Sequence, residues 1–154
     1  MSYSVLFVCL GNICRSPLAE AALREEARRR RLDLIIDSAG TGDWHAGEPP
    51  DDRARAVALK NGVDISALRA RQVTRADFRR FTHIVALDEQ NLADLRRLAP
   101  ADAAAQLSLL LDWIPGREGQ GVIDPWFGDD AGFDVTWAEV TEAARAMVYA
   151  LHSA

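Results

Sequence analysis

Three short runs of consecutive apolar residues, each followed by a segment of helical periodicity, constrain this chain more than any other feature. Val5-Leu6-Phe7-Val8, Leu34-Ile35-Ile36 and Ile84-Val85-Ala86-Leu87 have the length and side-chain content of strands. None alternates apolar with polar residues, so each is expected to be covered on both faces, as in a parallel sheet between helical layers. Leu107 to Leu111 reads as a fourth strand. Between them, Ser16-Pro17 has the form of a helix start, with Ser16 as the cap and a helix running to about Arg30. Asp51 or Asp52 opens a second helix that buries Ala54, Val57 and Ala58 and stops at Asn61-Gly62. Thr74 caps a short turn reaching Phe78, and Asp88 caps a helix carrying Leu92, Leu95 and Leu98, ended by Pro100. In the last helix Trp137, Val140, Ala144, Met147 and Leu151 recur at steps of three and four. The expected fold is an α/β three-layer sandwich in one domain, residues 1–154.

Composition narrows the function. A net charge of −5 gives no general attraction to nucleic acid or to anionic membranes. Arg28 to Arg31 follow Glu25 and Glu26 on a helix, where a solvated face is the simplest reading. No apolar run approaches the roughly 18 residues needed to span a bilayer, and the N-terminus lacks the form of a signal peptide. Two cysteines, Cys9 and Cys14, are too few for a secreted disulfide framework and wrongly spaced for a zinc knuckle. A reducing cytoplasm is the expected location.

In open parallel sheets ligands bind beyond the carboxyl ends of the strands. There, after the first strand, lies Cys9-Leu10-Gly11-Asn12-Ile13-Cys14-Arg15-Ser16-Pro17. The amides of a tight loop running into a helix N-terminus favour a bound anion. Gly11 allows a positive φ and close approach, and Asn12 tolerates the same region. Arg15 can present its planar fork to two oxygens of a phosphate. A thiol in that field ionises more readily than a free cysteine, so Cys9 is a candidate nucleophile, with Ser16 placed to donate to its sulfur. Burial as a packing residue is the competing reading for a cysteine at a strand end. Neither the Gly-x4-Gly-Lys-Ser/Thr nor the Gly-x-Gly-x-x-Gly phosphate loop is present.

The stretch from Val8 to Ala21, VCLGNICRSPLAEA, closely resembles the signature of the low-molecular-weight protein tyrosine phosphatases. Similar matches run through Asp37 to Thr41, Trp44 to Gly47, Ala70 to Val73, Asp88 to Leu92 and Asp124 to Asp129. The resemblance implies a four-stranded sheet of flavodoxin-like order 2-1-3-4 and a two-step hydrolysis without metal or other cofactor. It implies Cys9 as nucleophile, forming phosphocysteine, and Asp124 as general acid and then base. Arg15 and the loop from Leu10 through Gly11, Asn12, Ile13 and Cys14 would hold the phosphate. Trp44, Trp126 and Phe127 would wall a slot deep enough for a phenyl ring. Core packing is the alternative for each aromatic, and Asp88, Asp129 and Asp130 are the alternative acids. Asp124 falls in the stretch Asp112 to Phe133, which reads as one long loop, a common place for function.

The same resemblance implies phosphotyrosine-containing protein substrates, a tyrosine kinase as possible counterpart, and a monomer or weak dimer. Two departures stand out. Trp126-Phe127 replaces a frequent tyrosine pair, removing hydroxyls that could be phosphorylated. Leu68 stands where a histidine often supports the loop asparagine, although Asn12 and Ser38 can still pair. In relatives the residue matching Cys14 can pair with the nucleophile on oxidation. Among rivals, arginine-phosphate phosphatases of this scaffold carry threonine in place of Ile13. Thioredoxin-linked arsenate reductases need two further cysteines downstream, and a non-catalytic phosphate-binding module would be expected to lose Cys9 or Asp124. A papain-like hydrolase needs a histidine base, and His45, beside Trp44, is more simply a rim residue.

Overall fold

Successive residues of the first strand serve two different cores, which is why its sequence is apolar without alternation. In the computed structural model, which describes residues 2–153, β1 spans Tyr3–Cys9, β2 Leu34–Gly40, β3 His83–Ala86 and β4 Gln106–Leu109. All pairs are parallel and the order is β2-β1-β3-β4, as the resemblance implies. Val5, Phe7 and Val85 pack under α1 (Arg15–Arg29), α2 (Asp52–Lys60) and α5 (Asp130–Ser153). Leu6, Val8, Ile84 and Ala86 pack on the other face with Phe78 of α3 (Asp77–Arg80) and with Leu92 and Leu95 of α4 (Glu89–Leu98). Both faces of the sheet are therefore dry, as continuous apolar strands require. No helix among the described residues is long and apolar enough to cross a membrane.

The elements depart from expectation where a side chain binds something other than its local backbone. Ser16 does not cap α1; the helix begins at Arg15 with Cys14 in the cap position and no side-chain cap. The hydroxyl of Ser16 is instead engaged with Cys9 and Asn12. The fourth strand stops at Leu109, because Asp112 accepts the Leu109 amide at 2.9 Å and turns Leu110–Trp113 into a 3-10 helix. The long loop is shorter than expected, since Pro125–Phe127 forms a 3-10 turn and α5 starts at Asp130. Thr74 does not cap a helix; its amide and hydroxyl both donate to Asp77. By contrast Asp51 and Asp88 cap α2 and α4 as expected.

One clamp ties the functional edge of the sheet to its surroundings. The Arg71 guanidinium donates to Asp37 at 3.1 Å and to both oxygens of buried Asp77 at 2.9 and 3.1 Å. Its peptide groups meanwhile bind Asn12 and Gly40. Burial pushes the Asp77 carboxyl up, but the Arg71 and Thr74 donors outweigh it and hold the group below the ordinary carboxylate range. That stabilisation is complete above about pH 4 and is lost as the pH falls through the depressed value. We therefore expect Asp77→Ala to cost about 2–3 kcal/mol at pH 7, less than a fully buried pair because Arg71 is one-third exposed. Urea unfolding at pH 7 and pH 3 should show the gap between variant and wild type narrowing at the lower pH.

Candidate active site

β1 ends at Cys9, between β2 and β3, and the chain must reverse at once to start α1. Asn12 makes the reversal possible by adopting φ 59°. Gly11 does not take a positive φ; a Cβ there would lie 3.0 Å from the His45 ring and would press that side chain away from the loop. The reversal folds the loop over the sulfur. The Asn12 amide points at Cys9 Sγ at 3.3 Å, and Ser16 Oγ lies 2.9 Å from it. Cys9 is 3% exposed, yet it lines a cleft together with Leu10, Gly11, Ile13, Cys14 and Arg15. Simple packing does not describe it.

Arg15 is buried and gripped from behind. Its Nη1 donates to Asp88 Oδ2 at 2.7 Å and to the Val122 carbonyl at 2.8 Å. Among the described residues Nε and Nη2 make no hydrogen bond; Nη2 lies 3.7 Å from Asp124 Oδ2. Two donors of the fork are thus held in fixed directions and left free for oxygens of an anion. Asp88 uses its other oxygen on the Asn91 amide at the start of α4, and it does not line the cleft. Neither do Asp129, which caps the turn to Gly132, or Asp130 at the start of α5. Asp124 is the carboxylate at the mouth. The Asp88–Arg15 pair was not read from the sequence, although its signal was available: Asp88 follows β3 at the same edge where Cys9 ends the neighbouring strand.

The walls are Trp44, His45, Trp126 and Phe127. Packing in the core fails as a reading for these aromatics, because Trp44 is 70% exposed, Trp126 39% and Phe127 91%. Trp44 lies across Gly42, where a Cβ would come within 1.9 Å of its ring, so only glycine lets the indole occupy this wall. Asp124 Oδ1 accepts the Trp126 amide at 3.0 Å, which fixes the carboxylate to the 3-10 turn. Arg53 of α2 braces that turn. Its guanidinium stacks 5.4 Å from the Trp126 ring and 4.7 Å from that of Phe133, and it reaches the Gly128 carbonyl at 3.3 Å.

Asn12 and Ser16 lie behind the cleft rather than in its lining. Asn12 Nδ2 donates to Ser16 Oγ at 2.8 Å and to Ser38 Oγ at 2.9 Å. Asn12 and Ser38 do pair without a histidine, and Leu68 simply packs against the core. Ser38 goes on to Glu20, a link that sequence reading missed. Cys14 presents a different thiol. Burial, and then Asp51, push its ionisation far above the ordinary range, so it remains neutral.

The profile of the family described as low molecular weight phosphotyrosine protein phosphatase matches residues 4–154. A phosphatase of that description from Schizosaccharomyces pombe is 40% identical over 144 residues, covering 92% of each chain. A solved protein tyrosine phosphatase from Entamoeba histolytica superposes with a TM-score of 0.92 at 32% identity, over 98% of this chain and 97% of that one. A solved Drosophila arginine phosphatase superposes with a TM-score of 0.90 at 31% identity, over 96% of both. With its loop, sheet order and nearly full-length matches in agreement, this chain belongs to the low molecular weight phosphotyrosine protein phosphatase family.

Proposed function

We propose that the protein hydrolyses phosphotyrosine in protein substrates through a phosphocysteine on Cys9. The observation that carries the reading is the convergence of three groups on one aromatic-walled cleft: a sulfur that accepts from the Asn12 amide and lies 2.9 Å from the Ser16 hydroxyl, a fork with free donors, and a carboxylate at the mouth. The substrate phosphate sits on Arg15 and the loop amides of Leu10 to Arg15. Cys9 attacks phosphorus as the thiolate, the P–S bond forms and the P–O bond to tyrosine breaks. Asp124 gives its proton to the departing phenolic oxygen. It then takes a proton from a water that attacks phosphorus, releasing phosphate and the thiolate. Positioned donors stabilise the equatorial oxygens in both steps. Trp44, Trp126 and Phe127 hold the phenyl ring, and a shorter phosphoserine leaves its phosphate above the sulfur.

A protein arginine phosphatase is the second reading, favoured by the likeness to the Drosophila enzyme. Apolar Ile13 in the cleft argues for an aromatic ring over a guanidinium. Rates measured side by side on phosphotyrosine, phosphoserine and phosphoarginine peptides, with arsenate as a further candidate substrate, test the choice. Preference for phosphotyrosine by at least about a hundredfold is expected; preference for phosphoarginine would move the assignment to the second reading.

The brace on the mouth gives a further expectation. Arg53→Ala frees the Asp124 turn, and a misplaced acid lowers kcat about tenfold or more. Steady-state kinetics should show that loss in a variant that still unfolds cooperatively, its midpoint lowered only by the lost contacts to the Phe133 ring and to Asp51.

A further inference from the structure

We propose that Glu20 is a positioning residue for the nucleophile, setting the direction of every proton in a buried chain that ends on Cys9. The inference rests on the proposed role of Cys9 but concerns residues remote from substrate. Ser16, Glu20 and Arg24 recur at steps of four on α1 and so share one face. That face meets Ser38 of β2, and Ser16, Glu20, Asn12 and Ser38 are all buried, with Glu20 only 2% exposed.

Two fixed ends determine the order of donation. At one end the Arg71 backbone N–H, which can only donate, meets Asn12 Oδ1 at 3.0 Å. The amide nitrogen of Asn12 must then face the two serines and donate to both. At the other end an ionised Glu20 can only accept, so the Ser38 hydroxyl donates to Oε1 at 2.6 Å and offers Asn12 a lone pair. Ser16, already accepting from Asn12, has its own proton left for Cys9 Sγ at 2.9 Å. Each group has one role available, and all roles point the same way. Burial leaves the Glu20 carboxyl above its ordinary range, with Ser38 and Arg24 opposing part of that rise. Arg24 holds the second oxygen at 2.9–3.0 Å while remaining half exposed itself.

Without the charge on Glu20, Ser38 loses its obligate acceptor and is free to turn its proton toward Asn12. That sets donor against donor and loosens Asn12 from Ser16. The proton that Ser16 gives the sulfur is then no longer directed, and the thiolate is less favoured.

The test is the rate at which iodoacetamide alkylates Cys9, located by peptide mass spectrometry, in wild type, Glu20→Gln, Ser38→Ala and the double variant. A lost hydrogen bond to a charged sulfur predicts about tenfold slower alkylation at pH 6 in each single variant, with near wild-type rates at pH 9.5. Adding Glu20→Gln to Ser38→Ala should change the rate less than twofold, since the glutamate acts through the serine. Unchanged rates at pH 6, equal slowing at both pH values, or additive effects would each overturn the proposal. Should Glu20→Gln not fold, Arg24→Ala on the exposed side of the pair takes its place. The same pH-selective slowing supports the role, and wild-type rates at both pH values reject it. Alkylation needs no substrate, so a wild-type protein inactive on aryl phosphates would sink the functional reading and leave this result standing.

Discussion

Cys9→Ser should lower turnover of aryl phosphates by at least about 10⁴-fold while leaving phosphate binding nearly intact. The two halves of this expectation have separate causes. Turnover fails because a serine hydroxyl is a far weaker nucleophile than a thiolate, and a seryl alkoxide would be a poor leaving group in the second step. Binding persists because the groups that hold the anion are elsewhere: the free donors of Arg15, fixed from behind by Asp88 and Val122, and the loop amides. Acid quenching of wild-type enzyme with phosphotyrosine should leave phosphate on the peptide containing Cys9, and none in the variant. Cys14→Ser is the internal comparison, because that thiol is held neutral by burial and by Asp51; its loss should stay below tenfold. Comparable losses in both variants would assign Cys9 to loop architecture rather than to attack on phosphorus.

The sheet and the position of the cleft were legible from sequence because both depend on patterns local to a few residues. Val5 to Val8 and Ile84 to Leu87 are apolar at every position, and the structure uses every position, on alternating faces. The Cys9–Arg15 spacing is likewise a local statement, since the loop closes on its own helix. What escaped was decided by partners distant along the chain. Ser16 before a proline has the local form of a helix cap, and only the arrival of Asn12 beside it, itself held by Ser38 and Arg71, takes the hydroxyl away. Asp88 looked like a cap and is one, but its second oxygen reaches back 73 positions to Arg15. The sequence alone does not single out Glu20. A carboxylate at a step of four between a serine and an arginine, on the face turned to the sheet, was the signal that could have marked it.

Asp124→Asn should separate substrates by their leaving groups. For phosphotyrosine, whose phenol ionises near pH 10, kcat/KM is expected to fall about 10²–10⁴-fold, the usual worth of a positioned proton donor. For nitrophenyl phosphate, whose phenolate departs readily without a proton, the fall should be under about tenfold in the same parameter, which reports the first bond cleavage. Asparagine is the right replacement because its carbonyl can still accept the Trp126 amide and keep the turn in place. In the proposed mechanism one carboxylate serves in both directions. Asp124 faces the Arg15 fork at 3.7 Å. A phosphate bound on that fork would replace the carboxylate as the partner of Arg15 and leave Asp124 facing the departing oxygen. In the proposed second step the same carboxylate stands beside the phosphocysteine and accepts a proton from water. With nitrophenyl phosphate the variant should therefore show a rapid release of nitrophenol followed by a slow phase, since the second step still lacks its base. Equal losses on both substrates, with no initial burst, would mean that proton transfer belongs to another group.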